Sequence, residues 1–106
     1  MEMTHEEMNE TAEKASELLR VLSNQKRLLI LCKLGEGERS VQQLQDETGL
    51  GQSTVSQQLA KLRGERLVRA RREAQSVYYS LSSNEVEALI ETLYGLYCPP
   101  KAVSDQ

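Results

Sequence analysis

The 106-residue sequence contains no phenylalanine or tryptophan, two prolines, two cysteines and a single histidine, His5. Without these large aromatic side chains, the core must be built mainly from aliphatic residues. No run of about 18 apolar residues occurs, so the sequence predicts no membrane-spanning helix. With one histidine the chain has no plausible Ser–His pair for hydrolysis, and we predict neither catalytic residues nor a cofactor.

The length predicts one domain over residues 1–106, with residues 1–10 frayed and residues 99–106 forming a tail. The N-terminal segment is acidic and lacks the basic and then apolar pattern of a signal peptide. We therefore expect a cytoplasmic protein whose thiols meet a reducing environment. A cysteine pair in that compartment indicates redox chemistry, metal binding or inert packing.

The net charge of −3 is unevenly distributed. Residues 1–20 contain six glutamates, whereas residues 61–72 contain six lysines and arginines against Glu65 alone. Such a basic cluster is typical of a nucleic-acid contact, although a solvated surface is the alternative.

The spacing of apolar residues predicts five helices, within residues 11–22, 24–34, 40–48, 53–62 and 84–97. It predicts two strands, 67–72 and 76–81, joined as a hairpin. The order ααααββα indicates a mainly α fold with a β-hairpin wing, which is a winged helix-turn-helix.

The fourth predicted helix turns Val55, Leu59 and Leu62 inward and leaves a polar face outward. Ser, Thr and Gln side chains hydrogen-bond base edges and phosphates, whereas ordinary surface helices carry more Glu–Lys pairs. The predicted DNA-binding residues are Gln52, Ser53, Thr54, Ser56, Gln57 and Lys61 on this helix, and Arg71, Arg72 and Gln75 on the hairpin. A helical hairpin that binds protein instead is the alternative.

Residues 53–63, continuing to Leu67 and Val68, resemble the recognition helix and wing entry of ArsR-type winged-helix repressors. The resemblance covers residues 12–98. It departs from the family at Gln58, where a histidine is frequent, and at Arg66, where a glycine is usual. It implies a homodimer, built on the first and last helices, that binds a pseudo-palindromic double-stranded DNA operator.

The usual metal-binding patterns of that family, a Cys-x-Cys in the third helix or histidine with acidic residues in the last, are absent here. Cys32 and Cys98 match instead the two cysteines of the BigR/SqrR subgroup and of HlyU-like regulators. That resemblance implies a repressor that binds DNA when reduced. Persulfides, other reactive sulfur species or oxidants then link the cysteines through a disulfide or polysulfide, and the operator is released.

Two other outputs stay open. An HlyU-like protein acts as a transcriptional activator or anti-silencer, and a metal-responsive ArsR-type repressor remains possible through a site shared between subunits. An enzyme is not predicted, because the chain has no Cys-x-x-Cys motif and no cysteine at a helix N-terminus.

Overall fold

A computed structural model describes residues 2–97, which form five helices and a three-stranded antiparallel sheet. In chain order the elements are α1 (His5–Leu22), α2 (Gln25–Glu36), β1 (Arg39–Ser40), α3 (Val41–Thr48), α4 (Gln52–Gly64), β2 (Val68–Glu73), β3 (Ser76–Leu81) and α5 (Asn84–Tyr97). The predicted winged helix-turn-helix is confirmed. None of the described helices is long and apolar enough to cross a membrane.

Helix α1 begins at His5, inside the segment expected to fray. The Thr4 hydroxyl accepts a hydrogen bond from the Glu7 backbone N–H at 3.1 Å, and the Glu7 carboxylate accepts one from the Thr4 N–H at 2.9 Å. This capping box satisfies N–H groups that the helix start leaves unpaired. The apolar pattern did not reveal this start, because residues 5–10 contain one apolar side chain, Met8.

Strand β1 is an addition to the predicted order. Arg39 and Ser40 pair with Tyr79 and Tyr78, so the sheet has the order β1-β3-β2. Two residues are too few to show an alternating pattern in the sequence. The strand ties the start of α3 to the hairpin.

Helix α2 lies at the centre of an aliphatic core, with Ile30 and Leu31 fully buried. The core residues outside α2 are Val21, Leu22, Leu44, Val55, Leu59, Leu62, Leu67, Val68, Val86 and Ile90. Gly35 allows α2 and α5 to approach closely, because a Cβ at this position would lie 3.0 Å from Ile90 Cγ2.

Candidate DNA-binding surface and thiol site

The turn between α3 and α4 is fixed by local hydrogen bonds and one glycine. Ser40 and Gln43 form a capping box at the start of α3. Gly49 ends α3 in the left-handed conformation, at φ +80°, which glycine adopts without steric penalty. Helix α4 then begins at Gln52 and packs across α3, as the helix-turn-helix prediction requires.

Helix α4 presents a polar face to solvent. Val55, Leu59 and Leu62 are buried, as predicted. Of the residues predicted to contact DNA from this helix, Thr54 is half-buried, and the exposed ones are Gln52, Ser53, Ser56, Gln57 and Lys61. None of these six side chains forms a hydrogen bond or ion pair within residues 2–97, so all remain available to a ligand.

A cleft of about 390 Å³ separates α4 from the hairpin. Its lining consists of Ser56, Leu59, Ala60, Arg63, Gly64 and Tyr79. No acidic side chain is among them, and Ala60 and Gly64 leave room for close approach. Arg63 and Tyr79 were not among the predicted DNA-binding residues. Arg63 lies seven positions after Ser56 on the same helix face, so the sequence contained that signal.

The two predicted arginines of the hairpin lie on opposite faces of the sheet. Arg72 pairs with Val77, and it shares its face with Ala70, whose partner Tyr79 lines the cleft beside α4. Arg71 is on the other face. Gln75 is exposed at the two-residue tip of the hairpin, next to Ala74, which has φ +57°.

Arg71 is held by acidic neighbours. Its Nε and Nη2 donate to Glu38 at 2.9 and 2.8 Å, and its Nη1 donates to Glu73 at 2.7 Å. The guanidinium also lies 5.0 Å from the ring centroid of Tyr78. The hydrogen bonds from Arg71 lower the pKa of Glu38, and those to Glu38 and Glu73 raise the pKa of Arg71. Nothing in the sequence pointed to Glu38.

The predicted basic cluster is divided by these contacts. Arg69 donates to the Leu81 carbonyl at 3.2 Å, and Arg71 is paired as described. The side chains of the remaining members have no hydrogen-bonded or ion-pair partner in residues 2–97, and these members are Lys61, Arg63, Arg66 and Arg72. All four are exposed, which leaves a positive surface at the end of α4 and along the hairpin.

Of the two predicted sensor cysteines, Cys32 is half-buried in α2 and packs against the core, whereas Cys98 lies outside the described residues. One turn after Cys32, the Glu36 carboxylate accepts a hydrogen bond from the Tyr94 hydroxyl of α5. This hydrogen bond, with help from Lys33 and Arg39, lowers the pKa of Glu36. The last turns of α2 and α5 are therefore joined close to Cys32.

Glu36 also belongs to a chain of ion pairs. Lys33 lies 3.4 Å and Arg39 lies 3.3 Å from the Glu36 carboxylate, and Arg39 reaches Glu47 of α3 at 2.8 Å. These contacts connect the α2–α5 junction to the helix-turn-helix. Within the described part of the chain, no three His, Cys, Asp or Glu side chains are grouped as a metal ion would need.

Comparison with known proteins gives a consistent result. Residues 24–70 match the family model described as bacterial regulatory protein, arsR family. The transcriptional activator HlyU of Vibrio cholerae is 49% identical over 96 residues, covering 91% of this chain and 89% of HlyU. The biofilm growth-associated repressor of Xylella fastidiosa is 40% identical over 96 residues, covering 91% of this chain and 84% of that repressor.

Solved structures of similar proteins agree with the sequence comparisons. The transcriptional regulator HlyU of Vibrio vulnificus superposes with a TM-score of 0.87 at 47% identity, covering 91% of this chain and all of that one. A homodimeric winged helix-turn-helix DNA-binding domain from Mycobacterium bovis superposes with a TM-score of 0.70 at 26% identity, covering 100% of this chain and 96% of that domain.

Proposed function

Because the chain belongs to the arsR family of bacterial regulatory proteins, we propose that this DNA-binding transcriptional regulator is a thiol-switched repressor. Its reduced homodimer binds a pseudo-palindromic operator, and a covalent link between Cys32 and Cys98 releases it. The observation that carries the proposal is the hydrogen bond from Tyr94 to Glu36, which holds the last turn of α5, just before Cys98 in the sequence, against α2, the helix that contains Cys32.

The proposed DNA-binding role is supported by α4 and by the cleft between α4 and the hairpin. Ser56 and Gln57 lie on the exposed polar face, where they can read base edges in the major groove. The sugar-phosphate strand that borders the groove then occupies the cleft, where Arg63 supplies positive charge. Arg72 extends the same surface along the hairpin.

A second copy of the chain is supported by apolar side chains that one subunit leaves exposed. On α1, Met8 and Leu19 are each 56% exposed, and on α5, Leu96 and Tyr97 are 69% and 79% exposed. An apolar cavity of about 330 Å³ lies between α1, α2 and α5. Burying these surfaces in a two-fold dimer places the two α4 helices about one turn of DNA apart.

Two different reactions can link Cys32 to Cys98. A hydroperoxide oxidises the two thiols to a disulfide and is itself reduced to an alcohol and water. With persulfides, two molecules of R–S–S–H each transfer their outer sulfur to one of the thiols and leave as R–SH. The two cysteine persulfides then condense to a trisulfide and release H₂S, with no other oxidant needed.

The covalent link between the cysteines affects the DNA-binding surface through α2. Cys98 directly follows Tyr97, the last residue of α5, while Cys32 belongs to the central helix of the core. A covalent bond between these segments restrains α2 against α5, and α2 packs against both α3 and α4. A coupling free energy of roughly 1–3 kcal/mol is ordinary for such a change, and it lowers operator affinity 5- to 150-fold.

An activator is the second candidate output, because one relative at 49% identity is a transcriptional activator. The same DNA-binding surface serves both outputs, and the position of the operator relative to the promoter separates them.

The test uses the full chain and the duplex that the reduced protein selects from a randomised DNA library. Intact-mass spectra and binding titrations are recorded after treatment with a persulfide donor or with peroxide. We expect an internal Cys32–Cys98 link, with one added sulfur after the donor and none after peroxide, and a parallel loss of affinity. A linked protein that binds the duplex as before would overturn the switch, and a reduced protein that selects no sequence would overturn the operator-binding role.

A further inference from the structure

A single guanidinium joins three helices. Arg27 Nε donates to Gln58 Oε1 of α4 at 3.0 Å, and Arg27 Nη1 donates to the Val21 carbonyl of α1 at 3.0 Å. Arg27 itself lies in the first turn of α2, where its backbone N–H donates to the side chain of the capping residue Asn24 at 2.9 Å. The side chain therefore starts from a fixed position and reaches two other helices.

Both acceptors need this donor. Val21 is in the last turn of α1, where carbonyl groups have no intrahelical partner. Gln58 is half-buried, and an amide oxygen removed from water is unfavourable without a hydrogen bond. The planar guanidinium fixes the directions of its N–H bonds, so both bonds form only at one relative arrangement of α1 and α4.

Gln58 also supplies a directional contact that α4 otherwise lacks. Within residues 2–97, no other α4 side chain hydrogen-bonds to another element, and Gly51 caps the helix without a side-chain bond. The buried apolar residues hold α4 against the core, but apolar contacts are non-directional. The bridge from Arg27 therefore adds a directional contact that resists rotation of α4 about its axis.

A small rotation matters for sequence reading. Turning α4 by about 10° moves a group about 6 Å from the helix axis by about 1 Å, which breaks a well-formed hydrogen bond. Contacts to phosphate made by long basic side chains tolerate such a shift. We propose that Arg27 is a positioning residue for sequence recognition, setting the rotation of α4 through Gln58. This inference rests on the proposed role of α4 in reading DNA.

A direct contact between Arg27 and phosphate is the competing role, and two variants separate the two roles. Arg27→Lys keeps the positive charge but cannot make the forked contact to Gln58 and Val21. Gln58→Met keeps the side-chain length but removes the acceptor. Lys26→Met is the matched control, since it removes a neighbouring exposed charge that has no part in the bridge.

Each full-length variant is titrated against the duplex selected by the wild-type chain and against a shuffled duplex, at several salt concentrations. We expect Arg27→Lys and Gln58→Met each to weaken binding to the selected duplex roughly tenfold, which is the size expected for one lost charge-assisted hydrogen bond. Binding to the shuffled duplex should stay within about twofold of wild type, with the same salt dependence. The double variant should bind like the single ones, because both changes break one contact.

Equal losses on both duplexes for Arg27→Lys, with Gln58→Met binding like wild type, would show that Arg27 contacts phosphate and would overturn the positioning role. Unchanged binding to the selected duplex in both variants would overturn it as well. Gln58→His, which keeps a ring nitrogen able to accept from Arg27, should retain selectivity, and it covers the case in which Gln58→Met unfolds. A wild-type chain that prefers no duplex would count against the proposed function rather than against the bridge.

Discussion

Glu38 accepts two hydrogen bonds from Arg71, which lies 33 residues later, and so fixes one arginine of β2 to the segment that precedes β1. The next residue, Arg72, points to the opposite face of the sheet and has no such partner among residues 2–97. Two adjacent arginines that look equivalent in the sequence are therefore unequal in the structure, because side chains alternate along a strand.

Arg72→Ala should weaken binding to every duplex and reduce the slope of log affinity against log salt by about 0.9, the value for one lost phosphate contact. Arg71→Ala should reduce that slope less, because its guanidinium already binds Glu38 and Glu73. Anisotropy titrations at several salt concentrations measure both slopes. Glu38→Gln is the control, since it weakens the ion pair with Arg71 and should tighten binding to DNA. A larger loss of slope for Arg71→Ala would reverse this assignment.

Arg66→Gly should stabilise the protein. Arg66 has φ +64°, a left-handed conformation that costs a residue with a Cβ about 1–2 kcal/mol relative to glycine. Because glycine is also freer in the unfolded chain, we expect a net gain of about 0.5–1 kcal/mol in the free energy of unfolding. Urea denaturation measures it. Arg66→Ala removes the same charge but keeps the strain, so it should leave stability near wild type. An equal gain from alanine would contradict the strain argument.

Gln57→Ala should weaken binding to the selected duplex while leaving the shuffled duplex nearly unaffected. Gln57 is exposed on α4, and its side chain has no hydrogen-bonded partner in the described part of the chain. A lost contact to a base edge is worth roughly 1–3 kcal/mol of discrimination. Competition titrations with both duplexes measure the difference. Similar weakening on both would assign Gln57 to the phosphate backbone instead.

Cys32→Ser and Cys98→Ser should each bind the selected duplex when reduced and keep binding it after treatment with persulfide donor or peroxide. One remaining cysteine cannot form the internal link. The readout is affinity before and after treatment, together with intact mass. Release of DNA by both variants under treatment would show that the cysteines are not the switch.

Tyr94→Phe should change how stability depends on pH. The hydrogen bond from Tyr94 lowers the pKa of Glu36 below its ordinary value of 4.5. The ionised form is thus favoured by folding, so this stability is present above about pH 4.5 and is lost as the pH falls through the lowered pKa. The advantage of wild type over Tyr94→Phe should be largest near neutral pH and shrink in acid. Thermal unfolding between about pH 3 and pH 7 measures it, and a constant difference would contradict the link to Glu36.

The sequence predicted those features that repeat along an element. The apolar spacing located α2, α4 and α5, and it identified Val55, Leu59 and Leu62 as the buried side of α4. The polar composition of the opposite side then indicated which residues are exposed. These features are local, since each depends on residues within one helix.

Contacts between distant segments were not predictable from one sequence. Gln58 was noticed only as a departure from the family, and the structure shows it bound to Arg27, 31 residues earlier. Strand β1 exists because Arg39 and Ser40 meet β3, and no local pattern marks it. The DNA-contacting roles assigned from the sequence stay predictions, although Arg63 and Tyr79 now join the candidate surface.

Because α1 is largely exposed, we expect the stability of this regulator to depend on its concentration. In the described chain, only Val21 and Leu22 of this 18-residue helix are buried, whereas most of the stability of a helix in a protein comes from packing of its apolar face. In the proposed homodimer, α1 packs against a second subunit, which supplies the apolar contacts that one subunit lacks. We therefore expect proteases to cleave the N-terminal segment faster in dilute, unpaired subunits than in assembled dimers.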